Sequence, residues 1–103
     1  MANKTNSLSG ASEEEALYRA MLTLATVAEC AAFFRDLCTP GEISAMKERW
    51  HVARLLEQGD RSYRQIHDAT GVSIATISRV ARFLKTESYR GYQLILERTR
   101  NTA

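Results

Sequence analysis

Apolar residues recur along this chain at helical spacing, and helix starts and stops interrupt that spacing often enough to divide it into elements. Ser12 with Glu15 has the form of a capping box, and Glu13 and Glu14 add negative charge at the positive end of a helix dipole. From there Leu17, Met21, Leu24 and Ala28 repeat, joined by Leu22, Val27, Phe33, Phe34 and Leu37, so that apolar positions occupy most of the helix circumference. Helices of that kind need cover on several sides. Thr39-Pro40-Gly41-Glu42 is a second start, with Thr39 as N-cap, Pro40 at the first helical position and Glu42 closing the box. The helix it opens runs to about Gln58, is ended by Gly59, and buries a stripe of Ile43, Met46, Trp50, Ala53 and Leu56 or Leu55. Trp50 reads most simply as core.

The next two elements are short and tightly punctuated. Ser62 with Gln65 caps a helix that Gly71 ends in the left-handed conformation, and Ser73 caps the helix that follows. Ile66, Val72 and Ile77 are placed to lock the two helices together, while Ala75, Thr76 and Ser78 keep the outer face of the second one slim. Its buried stripe is expected at Ile74, Ile77, Ala81 and Leu84. Thr86-Glu87-Ser88 marks a boundary before a last helix carrying Tyr89, Tyr92, Leu94, Ile95 and Leu96. Pro occurs once, Gly five times, and β-branched residues never alternate, so the fold class is all-α. Residues 1–11 are polar and expected to be flexible, and 12–103 to form one helical domain with a helix-turn-helix at about 62–85. So short a chain has few helices to cover its apolar N-terminal half, which favours a second subunit as the cover over a compact monomeric bundle.

Composition narrows the function. At 103 residues and 45% hydrophobic content, the chain buries about two thirds of its unfolded surface at best, enough for a small domain. The net charge of +2 indicates nothing alone, but residues 1–60 hold six Lys/Arg against nine Asp/Glu and residues 61–103 hold eight against three. The excess lies at Arg61, Arg64, Arg79, Arg82, Lys85 and Arg90, within or beside the helix-turn-helix, where cations can displace counterions from DNA phosphates. A slim, polar-edged helix flanked by cations suits the DNA major groove, against the plainer alternative of an αα corner with a solvated basic face. The stretch from Ala16 to Phe34 is broken by Arg19, Thr23, Thr26 and Glu29, so no membrane span is expected, nor a signal peptide, and the expected location is cytoplasmic. Cys30 and Cys38 are expected as small buried or half-buried hydrophobes, and neither they nor His51 and His67 form a metal-ligand cluster. No cofactor site is expected. No nucleophile with a base, phosphate-binding glycine loop or pair of carboxylates can be assembled, which argues against an enzyme. A helical protein–protein adaptor that has lost DNA binding is the alternative, given room by His67, where many helix-turn-helix motifs have alanine.

Cys38-Thr39-Pro40, the helix to Gln58, Gly59, Ser62, Arg64, Gly71, Ile74-Ala75-Thr76-Ile77, Arg79 and Leu84-Lys85 together resemble the tryptophan repressor family, most closely its YerC/YecD-type branch of unassigned ligand. The likeness covers roughly residues 38–100. It implies an intertwined homodimer whose two helix-turn-helix heads reach successive major grooves of double-stranded DNA, and a role as a transcriptional repressor. Carried over by position, Arg64 contacts DNA from the first helix of the motif, and Ser73, Ile74, Ala75 and Thr76 form the groove-facing start of the second. Arg79, Arg82 and Lys85 follow on the same helix, with Arg82 and Lys85 as phosphate contacts. At about 100° per residue, Ala75, Arg79, Arg82 and Thr86 do share a face opposite Ile77 and Leu84.

The family's effector, an indole held between two arginines, would meet Arg49 and Arg79 here, with the Thr39 region as part of the wall. The glycine and serine that make room for the ring are replaced by Val80 and Phe83, expected to project together into that space. The resemblance therefore implies an unidentified small-molecule effector other than tryptophan, such as an anion. Surface or DNA-facing roles for Arg49 and Arg79 are the favoured alternative.

Overall fold

The computed structural model of the chain describes residues 10–101. Six α-helices and no strand occur among them: α1 Gly10–Met21, α2 Val27–Leu37, α3 Pro40–Gln58, α4 Tyr63–Thr70, α5 Ile74–Lys85 and α6 Gly91–Asn101. The expected all-α class holds. The chain divides between Thr39 and Pro40 into two compact units, where the sequence suggests one domain from residue 12. Of the segment expected to be flexible, residues 1–9 lie outside the described residues, and Gly10 and Ala11 already belong to α1.

In the N-terminal unit, the start at Gly10 places Ser12 inside the first turn of α1, so the expected Ser12 cap is corrected. The carboxylate needed to complete that box is engaged elsewhere: Glu15 accepts from Arg19 Nε at 2.9 Å, a bond along one helix face. Tyr18 Oη likewise donates to Glu14 at 2.8 Å, and this bond, with the carboxylate's charge, pushes the phenol pKa above its ordinary value. The apolar series from Leu17 to Leu37 is not one helix, because α1 stops at Met21. Thr23 donates to the Ala20 carbonyl at 2.7 Å, and Thr26 caps α2 by accepting the Glu29 N–H at 3.1 Å. Glu29 reaches back to accept the Ala25 N–H at 2.8 Å. Thr26-Val27-Ala28-Glu29 is itself a capping-box pattern, which the apolar periodicity had masked. No residue of α2 is buried, and Leu22 and Val27 are 84% and 87% exposed. Cys30 and Cys38 are half-buried free thiols, as expected.

The C-terminal unit is organised around α5, which packs against α3, α4 and α6. Its core joins Val52, Ala53 and Leu56 of α3, Ile66 of α4, Val72 of the turn, Ile77, Val80, Ala81 and Leu84 of α5, and Leu96 of α6. Burying a side chain of this size stabilises by about 1.5–3 kcal/mol. Of the stripe expected on α3, Ala53 and Leu56 are buried, and Ile43, Trp50 and Leu55 are half-buried. Met46 stays exposed. Trp50 stacks on Tyr92 of α6 at 6.5 Å between ring centroids. Gly59, at φ 77°, ends α3 as expected.

The last helix begins later than the sequence suggests. Arg90 adopts φ 61°, a left-handed conformation that breaks any helix begun at Ser88, so α6 opens at Gly91 and Tyr89 precedes it, exposed. Gln93 Nε2 donates to the Leu84 carbonyl at 2.7 Å, fastening α6 to the end of α5, and Arg100 pairs with Glu57 of α3. Leu94, Ile95 and Leu96 cannot all face one side of a helix, and of the three only Leu96 is buried.

A candidate nucleic-acid interface

Each end of α4 and the start of α5 is fixed by side-chain chemistry that the sequence makes readable. Ser62 Oγ accepts the Gln65 N–H at 3.1 Å while Gln65 Oε1 accepts the Ser62 N–H at 2.8 Å, a complete capping box. Gly71 is left-handed at φ 77°, and its N–H donates to the His67 carbonyl at 2.8 Å. Ser73 caps α5 by accepting the Thr76 N–H at 3.1 Å.

Two residues brace the turn between these helices: His67, marked in the sequence only as a departure from the common motif, and Thr70, which the sequence reading did not single out. His67 Nδ1 lies 2.8 Å from the Val72 carbonyl, which can only accept, so this nitrogen carries the proton. Thr70 Oγ1 donates to the Ile66 carbonyl at 2.7 Å and accepts the Val72 N–H at 3.1 Å. Both backbone groups of Val72 are thus satisfied while its side chain inserts into the core, 5% exposed. The replacement of a small residue by His67 therefore secures the turn. Polar residues four positions and one position before Gly71 are the available signal.

α5 is divided lengthwise. Ile77, Val80, Ala81 and Leu84 form its buried arc, and Ile74, Ala75, Ser78, Arg79, Arg82 and Lys85 its exposed one, with Thr76 and Phe83 half-buried between them. The expected buried stripe is corrected at one end: Ile74 is 43% exposed, and Val80, at 1%, takes a core place. The buried arc centres on Ile77 and Leu84, and Ile74 falls at its margin, in the first turn. Ala75 and Thr76 beside it keep this end of the helix slim.

The cations sit where exchange is easy. Arg64 of α4 is paired with Asp68 at 3.5 Å, Arg82 with Glu87 at 3.7 Å and Arg61 with Asp60 at 3.7 Å, all at exposed positions. Such pairs contribute at most about 1 kcal/mol. An open cleft of about 260 Å³ beside them is lined by Tyr63, Ser78, Ala81, Arg82, Lys85 and Thr86, so two cations and three hydroxyls converge on it.

Of the expected effector residues, Arg49, Arg79, Val80 and Phe83 belong to the C-terminal unit. Thr39 ends the N-terminal unit, and Arg49 is half-buried on α3. The Arg79 guanidinium carbon lies 4.6 Å from the centre of the Phe83 ring, and that of Arg82 lies 4.9 Å from it. Val80 and Phe83 differ in burial. Separated by about 60° around the axis, they straddle the core boundary, Val80 inside it and Phe83 at its rim against Tyr89. Among the described residues no group of three or more His, Cys, Asp or Glu could hold a metal ion, and no helix is long and apolar enough to cross a membrane.

Six helices among the described residues, with two capped helices under a basic face, have the architecture of a helical transcriptional regulator. Comparison with known proteins places it further: the Trp repressor protein family profile matches residues 12–100, and the chain belongs to that family. YerC of Bacillus subtilis is 41% identical over 90 residues, covering 87% of this chain and 85% of its own. The Trp operon repressor homolog of Chlamydia trachomatis serovar L2 is 35% identical over 77 residues, 71% of this chain and 82% of that one. Among solved structures, a TrpR-like protein from Eubacterium eligens superimposes with a TM-score of 0.76 at 38% identity, over 93% of this chain and 95% of its own.

The turn gives a direct test of this geometry. A Cβ at Gly71 would meet no atom within 4 Å, so Gly71→Ala is penalised only through the backbone at φ 77°. The expected cost is about 1–2 kcal/mol, a fall of about 4–8 °C in thermal midpoint per kcal/mol, and Gly71→Asn should cost less. A midpoint unchanged in Gly71→Ala would show that the turn does not need the left-handed residue.

Proposed function

We propose that the protein is a homodimeric, sequence-specific DNA-binding repressor of transcription that places α5 in the major groove. The division of α5 carries this reading: one arc supplies the core, so the other, slim and basic, is held outward by the fold itself. Arg64, Ser73, Ile74, Ala75, Thr76 and Arg79 are assigned to the groove side, and Arg82 and Lys85 to phosphates at the cleft they share with Ser78 and Thr86. The brace from His67 to Val72 weighs against the adaptor alternative, since the residue that departs from the common motif supports the turn.

Dimerisation accounts for the uncovered apolar surface. Leu22, Val27 and Leu37 in the N-terminal unit, and Met46, Leu94 and Ile95 in the C-terminal one, are all at least 40% exposed. A groove of about 820 Å³ bordered by Leu56, Leu84, Leu94 and Leu96 opens beside α6. A second copy of the chain, intertwined as in the family fold, supplies the cover. The effector, where there is one, is not tryptophan, because the Arg79 guanidinium already lies over the chain's own Phe83 ring.

DNA binding is tested by two substitutions with different signatures. Arg64→Ala should change the preference between duplex sequences. Arg82→Gln should weaken binding to every duplex and lower the salt slope by about one. Should both variants, shown folded by circular dichroism, bind as the wild type does, the DNA surface lies elsewhere.

Assembly is tested by mass and by stability together. The protein should sediment at about twice its 11.6 kDa chain mass, with a thermal midpoint that rises with protein concentration. A monomer with a concentration-independent midpoint would exclude the shared core.

For the effector, overpacking of a binding site by Phe83 corresponds to about 1–3 kcal/mol, or about ten- to hundredfold in affinity. Calorimetry with millimolar L-tryptophan should give no saturable heat and leave DNA affinity unchanged. Saturable binding at micromolar tryptophan would make the chain a tryptophan-responsive repressor after all.

A further inference from the structure

Phe83 is the sole aromatic residue of α5, and it is half-buried with two arginines against it. Both guanidinium carbons, 4.6 and 4.9 Å from its ring centre, are within the about 6 Å over which a ring quadrupole attracts a cation. Tyr89 stacks on the same ring with centroids 6.2 Å apart and planes inclined by 17°. Tyr89 is held in the segment between α5 and α6, next to the left-handed Arg90. A half-buried ring stacked on Tyr89 thus meets two side chains that would otherwise sample many rotamers.

The chemistry of that contact matters for what the arginines can do next. A carboxylate partner occupies the N–H donors and must be displaced before a phosphate can bind. An aromatic face attracts the guanidinium through its plane, leaving the N–H edges and the charge available. Arg79 has no carboxylate within 4.0 Å among the ion pairs of the described residues, and Arg82 meets only Glu87 at 3.7 Å.

We propose that Phe83, backed by Tyr89, is a positioning residue for DNA binding: it holds the Arg79 and Arg82 guanidiniums in place before DNA arrives, with no small molecule required. This rests on the DNA-binding reading of α5. Fixing the side chains beforehand reduces the ordering cost at the moment of binding.

The test is a set of duplex titrations by fluorescence anisotropy at two salt concentrations. It compares wild type, Phe83→Leu, Phe83→Tyr, Tyr89→Leu, the double variant Arg79→Ala with Arg82→Ala, and the triple variant adding Phe83→Leu. Phe83→Leu should bind about three- to tenfold more weakly with an unchanged salt slope, since no charge is removed. Phe83→Tyr keeps the ring and should stay within about twofold of wild type. In the double-arginine background Phe83→Leu should change affinity by less than about twofold, because the groups it acts through are gone. Tyr89→Leu, at a residue 78% exposed, removes the backing without touching the core and should weaken binding in the same direction should Phe83→Leu lose helicity.

Wild-type affinity in Phe83→Leu or Tyr89→Leu, alongside weakened binding in the double-arginine variant, overturns the proposal and leaves the DNA-binding reading standing. An equal loss from Phe83→Leu in both backgrounds also overturns it, because the ring then acts through packing alone. Failure of the wild type to bind any duplex removes both.

Discussion

Nearly everything in the C-terminal unit depends on α5 being buried along one side only. Its four buried residues meet Val52, Ala53 and Leu56 from α3, Ile66 from α4 and Leu96 from α6, so α5 is the element through which the others cohere. A helix so used has no freedom to rotate: turning it by one residue, about 100°, would bury an arginine and expose Ile77 or Val80. The basic face is therefore fixed by the energy of the core opposite it. This is also why the caps matter. Ser62, Gly71 and Ser73 set where α4 ends and α5 begins, and the His67 and Thr70 bonds to the turn keep Val72 inserted between them.

The chain leaves much apolar surface uncovered. α2 contains no buried residue although Phe33, Phe34 and Leu37 lie on it, and the first half of α3 exposes Met46. Scattered exposed apolar residues need no explanation in a soluble protein, but a helix with none buried does. The C-terminal unit, by contrast, contains every buried residue of the core. The proposed second subunit would account for this asymmetry by covering the N-terminal apolar residues.

Legibility from sequence followed the range of the interaction involved. The α4 cap, its left-handed glycine and the α5 cap were readable because each is settled within three or four residues. Ser12 misled for the same reason: its box is a local pattern, and Glu15 has a competing partner in Arg19 one turn on. Thr26 is harder to read as a cap, because apolar residues at helical spacing lie on either side of it. Ile74 and Val80 exchanged places because a stripe gives the direction of the buried face only to within about one residue, and tertiary packing decides its margins. The site was legible where it is helical and charged. Its aromatic part was not, since the approach of Tyr89 to Phe83 depends on the left-handed turn at Arg90, which nothing in the residue itself announces.

The partners of the basic residues bear on how such a surface would respond to a polyanion. Asp60, Asp68 and Glu87 sit beside Arg61, Arg64 and Arg82 at 3.5–3.7 Å, long for charge-assisted hydrogen bonds and open to water. Each contributes little to the fold, so exchanging it for a phosphate loses little, while each phosphate neutralised releases condensed counterions. These are weak pairs that a stronger anion can replace. In the proposed role the ring of Phe83 differs in kind from these carboxylates, because it would restrain two arginines without competing for the phosphates assigned to them. Weak acidic partners at the edges and an uncharged platform at the centre together give a surface that is arranged in advance and remains free to associate.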